Sequence, residues 1–175
     1  ADKDVFFCLS TNGLYLPRYA KEIAELGVDY VTVTVNALTS NTGAHIYSFV
    51  NDAGKKYVGQ EAAELLLNRQ LEGLQLLASY GVKVKINTVA IPGVNMEEIP
   101  AIARRMAVLG CKLHNILPML PVEGTAFAHL AEPEAQEIAA LREVCQQWMP
   151  QMRHCSRCRA DAVGTLAAAC CDEEQ

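Results

Sequence analysis

The sharpest constellation in this 175-residue chain lies near its end, at Arg153-His154-Cys155-Ser156-Arg157-Cys158-Arg159. Two thiols separated by two residues can hold one metal centre from a tight turn. Three surrounding arginines favour the thiolate forms and would offset the negative charge of an iron-sulfur cluster. The pair is half a ligand set, so other readings stay open. A structural zinc site would need Cys170 and Cys171 as further ligands, although adjacent cysteines suit one tetrahedral ion poorly. A thioredoxin-like dithiol would sit at a helix start after a strand, whereas this pair follows a helix and the break at Pro150. A tail without metal would leave the arginine pattern without a purpose. His154 is a further ligand or a solvated charge.

Cys8 stands apart from the other thiols. A lone strand cysteine is ordinarily a small buried hydrophobe, but alternation along a strand places Cys8 on one face with Ser10 and Asn12. Cys111, Cys145, Cys170 and Cys171 have no such context and read as structural. His45, His114 and His129 have no partner at metal-binding spacing. No segment has the pattern of a phosphate-cradling loop or a Ser-His-Asp arrangement.

The elements that must carry these residues alternate between strand and helix. Residues 30–36 form a β-branched strand with Val31, Val33 and Val35 on one face and Thr32, Thr34 and Asn36 on the other. A polar loop is expected over 39–43. A long helix is expected from about 60 to 80, with Ala63, Leu67, Leu71, Leu74 and Leu77 apolar and Gly81 as its stop. A strand over 83–91, broken at Pro92-Gly93, again groups Lys83, Lys85 and Asn87. Asn95 then caps a helix with Glu98 three residues on and a stripe of Ile99, Ile102, Ala103, Met106 and Leu109, ended by Gly110. A strand over 113–120 follows, and Pro133 starts a last helix in which Ile138, Leu141, Cys145 and Trp148 share a face.

Strands separated by helices, with no hairpin signal between them, imply right-handed crossovers and a parallel sheet, so the class is α/β. About four such units are present, against roughly 250 residues for a complete eightfold barrel. The expectation is a partial barrel over 1–150 and a cysteine-containing tail over 151–175. Helices must cover the valine face, which turns the polar residues inward. An ordinary barrel interior is packed with branched apolar side chains, so a lumen of Cys, Ser, Thr, Asn and Lys suits a polar ligand.

Composition narrows the classes. With 51% hydrophobic residues, 20% charged residues and a formal charge of -5, the chain is neither disordered nor collagen-like. No basic face points to nucleic acid, no apolar run is long enough for a bilayer, and no signal peptide opens the chain. A cytoplasmic protein is expected. Seven cysteines are an odd number beside an ample apolar core, which favours metal or redox use over a disulfide scaffold. The start at Ala1, just before a strand-like run, suggests a piece of a longer protein.

Several of these segments together are familiar. Ser10-Thr11-Asn12-Gly13 after a strand, residues 31–37, Lys85-Ile86-Asn87-Thr88-Val89 followed by Ile91-Pro92-Gly93-Val94-Asn95, and His114-Asn115-Ile116 resemble successive strands of the radical S-adenosylmethionine (SAM) barrel. Pro121-Val122-Glu123-Gly124-Thr125 and the stretch from His154 to Gly164 resemble, within that superfamily, the branch that builds the nitrogenase cofactor. The resemblance covers nearly the whole chain up to about Gly164.

It implies enzymes that cleave SAM reductively at a 4Fe-4S cluster and fuse two further 4Fe-4S clusters, with a carbide from a SAM methyl group, into the eight-iron precursor of the nitrogenase cofactor. By position, Cys8 matches a ligand of one substrate cluster, and Cys155 and Cys158 match ligands of the other. Thr11, Asn12, Thr34 and Asn36 fall where such barrels contact the SAM ribose and its surroundings, and Asn87 and Ile91 lie near the adenine. The implied cofactors are 4Fe-4S clusters and SAM. The implied partners are iron-sulfur cluster donors and nitrogenase cofactor carrier or scaffold proteins, with no nucleic acid and no membrane. The superfamily's Cys-x3-Cys-x2-Cys motif does not occur in this chain, so the chain alone is expected not to cleave SAM. A non-catalytic iron-sulfur or zinc-binding barrel and a different radical-SAM maturase are the alternatives.

Overall fold

A computed structural model describes residues 6–152 of the chain. In chain order its elements are β1 (Cys8–Thr11), α1 (Leu16–Glu25), β2 (Tyr30–Thr34), α2 (Ser40–Ile46), β3 (Val50–Asp52), β4 (Lys55–Tyr57), α3 (Gly59–Ser79), β5 (Lys83–Ala90), α4 (Ile99–Val108), β6 (Leu113–Pro118) and α5 (Ala135–Gln146). The strands β1, β2, β5 and β6 form one sheet in that order, every pair parallel. The α/β class and the parallel sheet are therefore as expected, and the described strands make an open sheet.

The valine face is the structural face. Val31, Val33, Val35, Val84 and Ile86 are buried with Leu16, Ala20 and Ile23 of α1, Leu74 and Leu77 of α3, and Ile102 and Met106 of α4. Next to them, Ala90 and Ile116 pack with Ile99 and Ala103 of α4 and with Ile138 and Cys145 of α5. Each fully buried aliphatic side chain contributes about 1.5–3 kcal/mol, so one sheet face with its helices holds most of the described core. Gly73 lets α1 and α3 meet: a Cβ there would collide with the Leu16 Cβ. The cap of α5 is a reciprocal box, with the Glu134 amide donating to the Glu137 carboxylate at 2.8 Å.

Three expectations need correction. The segment read as a polar loop over 39–43 is mostly the short helix α2, because the Thr39 hydroxyl accepts the Thr42 amide at 3.1 Å and caps it. An antiparallel hairpin, β3 with β4, turns at Ala53-Gly54 with both residues at positive φ; its strands are three residues each, too short for an alternation signal. In α3 the buried stripe runs through Ala62, Ala63, Leu66, Gln70, Gly73, Leu74 and Leu77. Leu67 and Leu71 lie at its border, and a glutamine and a glycine inside the stripe hid its phase.

Candidate functional site

Register partners in a parallel sheet share a face, and side chains alternate along each strand. The face away from the helices is accordingly a grid. Its first row is Cys8, Tyr30 and Lys83; its second is Ser10, Thr32, Lys85 and Leu113; its third is Thr34, Asn87 and Asn115, with Asn12 following Ser10 by alternation. The polar grouping expected from sequence is thus assembled from three strands and extended by Asn115 from a fourth. Cys8, Ser10 and Asn12 are exposed, Thr34, Lys85 and Asn87 half-buried, and Thr32 and Asn115 buried. Asn115 donates to the Asn87 side-chain oxygen at 3.3 Å, and its own Oδ1 is buried without a partner.

Behind this rim, buried polar side chains fix the carboxyl ends of the strands. Gln70 reaches from α3 and donates Nε2 to the Asn12 carbonyl at 2.6 Å and to the Thr34 carbonyl at 2.9 Å, tying β1 to β2. Gly13 makes room for it: its φ is +86°, and a Cβ there would lie 2.7 Å from the Gln70 Cγ. Asn95 ties β2 to β5. Its Oδ1 accepts the Ile91 amide at 2.8 Å, and its Nδ2 donates to the carbonyls of Asn36 at 2.9 Å and Val89 at 2.8 Å. It precedes the single 3₁₀ turn Met96–Glu98 without a side-chain capping bond, so the expected helix cap is corrected to a strand-end clamp. The Thr88 hydroxyl donates to the Val35 carbonyl at 2.7 Å, and its oxygen then accepts from Nε2 of His114 at 2.9 Å. This fixes the proton of the neutral ring on Nε2. His114 is wholly buried, and burial lowers its pKa to about 4; its Nδ1 has no partner.

The six residues that resemblance assigns to SAM divide accordingly. Asn12, Thr34 and Asn87 stand on the polar rim. Asn12 also accepts the Leu14 amide at 3.0 Å in the turn after β1. Thr11 is in register with Val33 on the helix-side face, and its hydroxyl accepts the Gly13 amide at 3.1 Å. Asn36 is engaged internally: its Oδ1 accepts the Val89 amide at 3.0 Å and its amides face the Tyr47 phenol, which burial pushes up in pKa. The Ile91 side chain is buried, and its amide and carbonyl are both bonded within the turn to Asn95.

The thiols separate just as clearly. Burial pushes the Cys111 thiol up to about 12 and the Cys145 thiol up to about 11, and both sit in the helix-side core away from the polar face. Cys8 is exposed on the polar face. Cys155 and Cys158 lie outside the described residues, as do His154, Cys170 and Cys171. Among the described residues no three His, Cys, Asp or Glu side chains group as a metal site. A cavity of about 300 Å³ lined by Val28, Tyr30, Tyr80 and Lys83 sits at the amino ends of the strands, opposite the rim. No helix among the described residues is long and apolar enough to cross a membrane.

Sequence reading missed Gln70, Asn95 and His114 as members of this site. Gln70 and His114 had a faint signal, a polar residue at a core position of an otherwise apolar stripe or strand. The role of Asn95 had none, since its spacing to Glu98 fits a cap equally well.

Among the described residues, a parallel sheet with helices on one face and a largely polar opposite face, rimmed by amides and hydroxyls at its carboxyl ends, makes an α/β fold of the kind that binds ligands at that end. The Radical SAM superfamily pattern matches residues 1–106, and the chain belongs to this superfamily. It is similar to the FeMo cofactor biosynthesis protein NifB of Klebsiella pneumoniae, 46% identical over 167 residues that cover 93% of this chain and 36% of that relative. NifB of Bradyrhizobium diazoefficiens is 44% identical over 170 residues, covering 95% of this chain and 34% of the relative. NifB of Chlorobaculum tepidum is 41% identical over 170 residues, covering 97% and 40%. The chain therefore spans little more than a third of the length of these relatives.

Members of this superfamily use a 4Fe-4S cluster and SAM. The residues present fit SAM. Asn12, Thr34, Asn87 and the unpartnered buried Oδ1 of Asn115 offer hydrogen-bonding groups for a ribose, an amino-acid moiety or an adenine edge.

Proposed function

We propose that this chain is the carboxyl-side arc of a radical-SAM barrel from a NifB-type enzyme, which fuses two 4Fe-4S clusters and a SAM-derived carbide into the eight-iron precursor of the nitrogenase cofactor. The observation that carries the reading is the 41–46% identity to NifB proteins over 93–97% of the chain, taken with the polar grid that sets Cys8 on the same face as the rim. When bound, the superfamily's cluster and SAM supply reductive SAM cleavage and the methyl carbon. The chain's own part is to bind and orient. Asn12, Thr34 and Asn87, with Asn115, would hold SAM, while Thr11, Asn36 and Ile91 shape the strand ends that carry it. Cys8 ligates one substrate cluster, and Cys155 and Cys158 ligate the other. Fusion needs the two clusters close together, for the proximity reason that governs any two-reactant step.

The setting this implies is the cytoplasm, with iron-sulfur cluster donors and nitrogenase cofactor carrier or scaffold proteins as partners. The test is iron, sulfide and zinc content after anaerobic reconstitution of the chain and of a Cys155→Ala, Cys158→Ala variant. Iron and sulfide in near-equal amounts, reduced in the variant, are expected. Zinc without sulfide would contradict the reading and favour a structural-metal module.

A further inference from the structure

The polar grid has a charge property that its hydrogen-bonding groups do not explain. Twelve positions face that side of the four strands by register and alternation: Cys8 and Ser10 on β1; Tyr30, Thr32 and Thr34 on β2; Lys83 to Val89 by twos on β5; Leu113, Asn115 and Leu117 on β6. Two are lysines and none is a carboxylate, although the chain as a whole carries a formal charge of -5. Lys83 has its ammonium 5.4 Å from the centre of the Tyr30 ring. Lys85 is half-buried in the row of Ser10 and Thr32. Its Nζ lies 4.0 Å from the Met152 sulfur, a weak acceptor, and no described carboxylate is within ion-pair distance of it. Its stem is covered while its charged end is left to act on whatever anion occupies this face.

We infer that Lys85, with Lys83 beneath it, supplies the counter-charge for an anionic iron-sulfur cluster held at Cys8 on this face. The inference rests on the reading of Cys8 as a cluster ligand. A 4Fe-4S cluster with four thiolate ligands is a dianion, and these strand positions offer it fixed cations and no opposing carboxylate; the Asp29 carboxylate beside the start of β1 is engaged by the Phe7 amide at 2.9 Å. Lys83 shares the row of Cys8 two strands away, about 10 Å across the sheet, and Lys85 stands one row on, about 7 Å further along its strand, so a cluster seated on the Cys8 sulfur lies within reach of both long side chains. Lys85 is a positioning residue for that substrate: it sets where the anion rests and favours it over neutral metal complexes.

The experiment uses the full chain carrying Cys155→Ala and Cys158→Ala, so that loading reports the polar-face site. It is titrated anaerobically with a glutathione-ligated 4Fe-4S complex, and binding is read from visible absorbance at low and at high salt. Lys85→Met is expected to raise the half-loading concentration about three- to tenfold at low salt and to flatten its salt dependence, and Lys85→Arg to load as the parent does. Lys85→Gln provides the neutral comparison if the methionine variant does not fold. Cys8→Ala in the same background separates the two claims. Loading that survives Cys8→Ala overturns the reading of Cys8 and the inference with it. Loading abolished by Cys8→Ala but identical in the parent and the neutral lysine variants at both salt concentrations overturns the role of Lys85 alone.

Discussion

Asn95 commits both ends of its amide to backbone groups of three different residues, Ile91, Asn36 and Val89, from a buried position. Alanine there leaves a buried amide and two carbonyls less satisfied, so Asn95→Ala is expected to cost about 2–3 kcal/mol. Urea denaturation measures it, and a loss within about 0.5 kcal/mol, the range of ordinary surface changes, would remove the clamp from the account. His114 gives a pH signature. Its pKa is about 4 when folded and about 6.5 when unfolded, so the native state favours the neutral ring. The stability associated with it is complete above pH 6.5 and is lost as pH falls towards 4, by roughly 3 kcal/mol in all. The stability difference between the parent and His114→Gln should narrow across that window. A difference constant from pH 7.5 to 4.5 would show that the imidazole is not held neutral by burial.

The strands and helices depend on one another through a few close approaches. At Gly73 the bodies of α1 and α3 touch, and the added methyl of Gly73→Ala meets Leu16; overpacking of this kind costs about 1–3 kcal/mol. A melting temperature unchanged by that substitution would mean the two helices can move apart freely. The same elements show what could be read in the sequence. Alternation in residues 30–36 and 83–89 revealed both faces of the sheet, because Val31, Val33 and Val35 have no reason to alternate with Thr32, Thr34 and Asn36 except to separate core from ligand side. The long helices were legible from their apolar spacing. The clamps were not, since Gln70 and Asn95 act on carbonyls 36 to 59 residues away in sequence, and no local pattern carries such a pairing. The hairpin β3–β4 and the helix α2 were too short for their periods to register.

At the scale of the whole chain, the sheet is asymmetric: helices cover one face, and on the other a polar grid leads from Cys8 to the amides of Asn87 and Asn115. Among the described residues β1 pairs with β2 alone, and Phe6, Phe7 and Leu9 beside that edge are exposed at 58%, 61% and 38%. Unpaired apolar edges template association, so sedimentation velocity should find the chain self-associating with rising concentration, and Leu9→Lys should reduce this. A monodisperse parent over the same range would show that the edge is protected. The central claim is that Cys8, facing the polar side, ligates a cluster while the helix-side thiols are inert. Anaerobic alkylation with iodoacetamide, read by mass spectrometry before and after reconstitution with iron and sulfide, tests it most directly. Cys8 is expected to be modified in the metal-free chain and protected once iron and sulfide are bound, while Cys111 and Cys145 stay unmodified throughout. Cys8 alkylated to the same extent in the iron-loaded protein would contradict it.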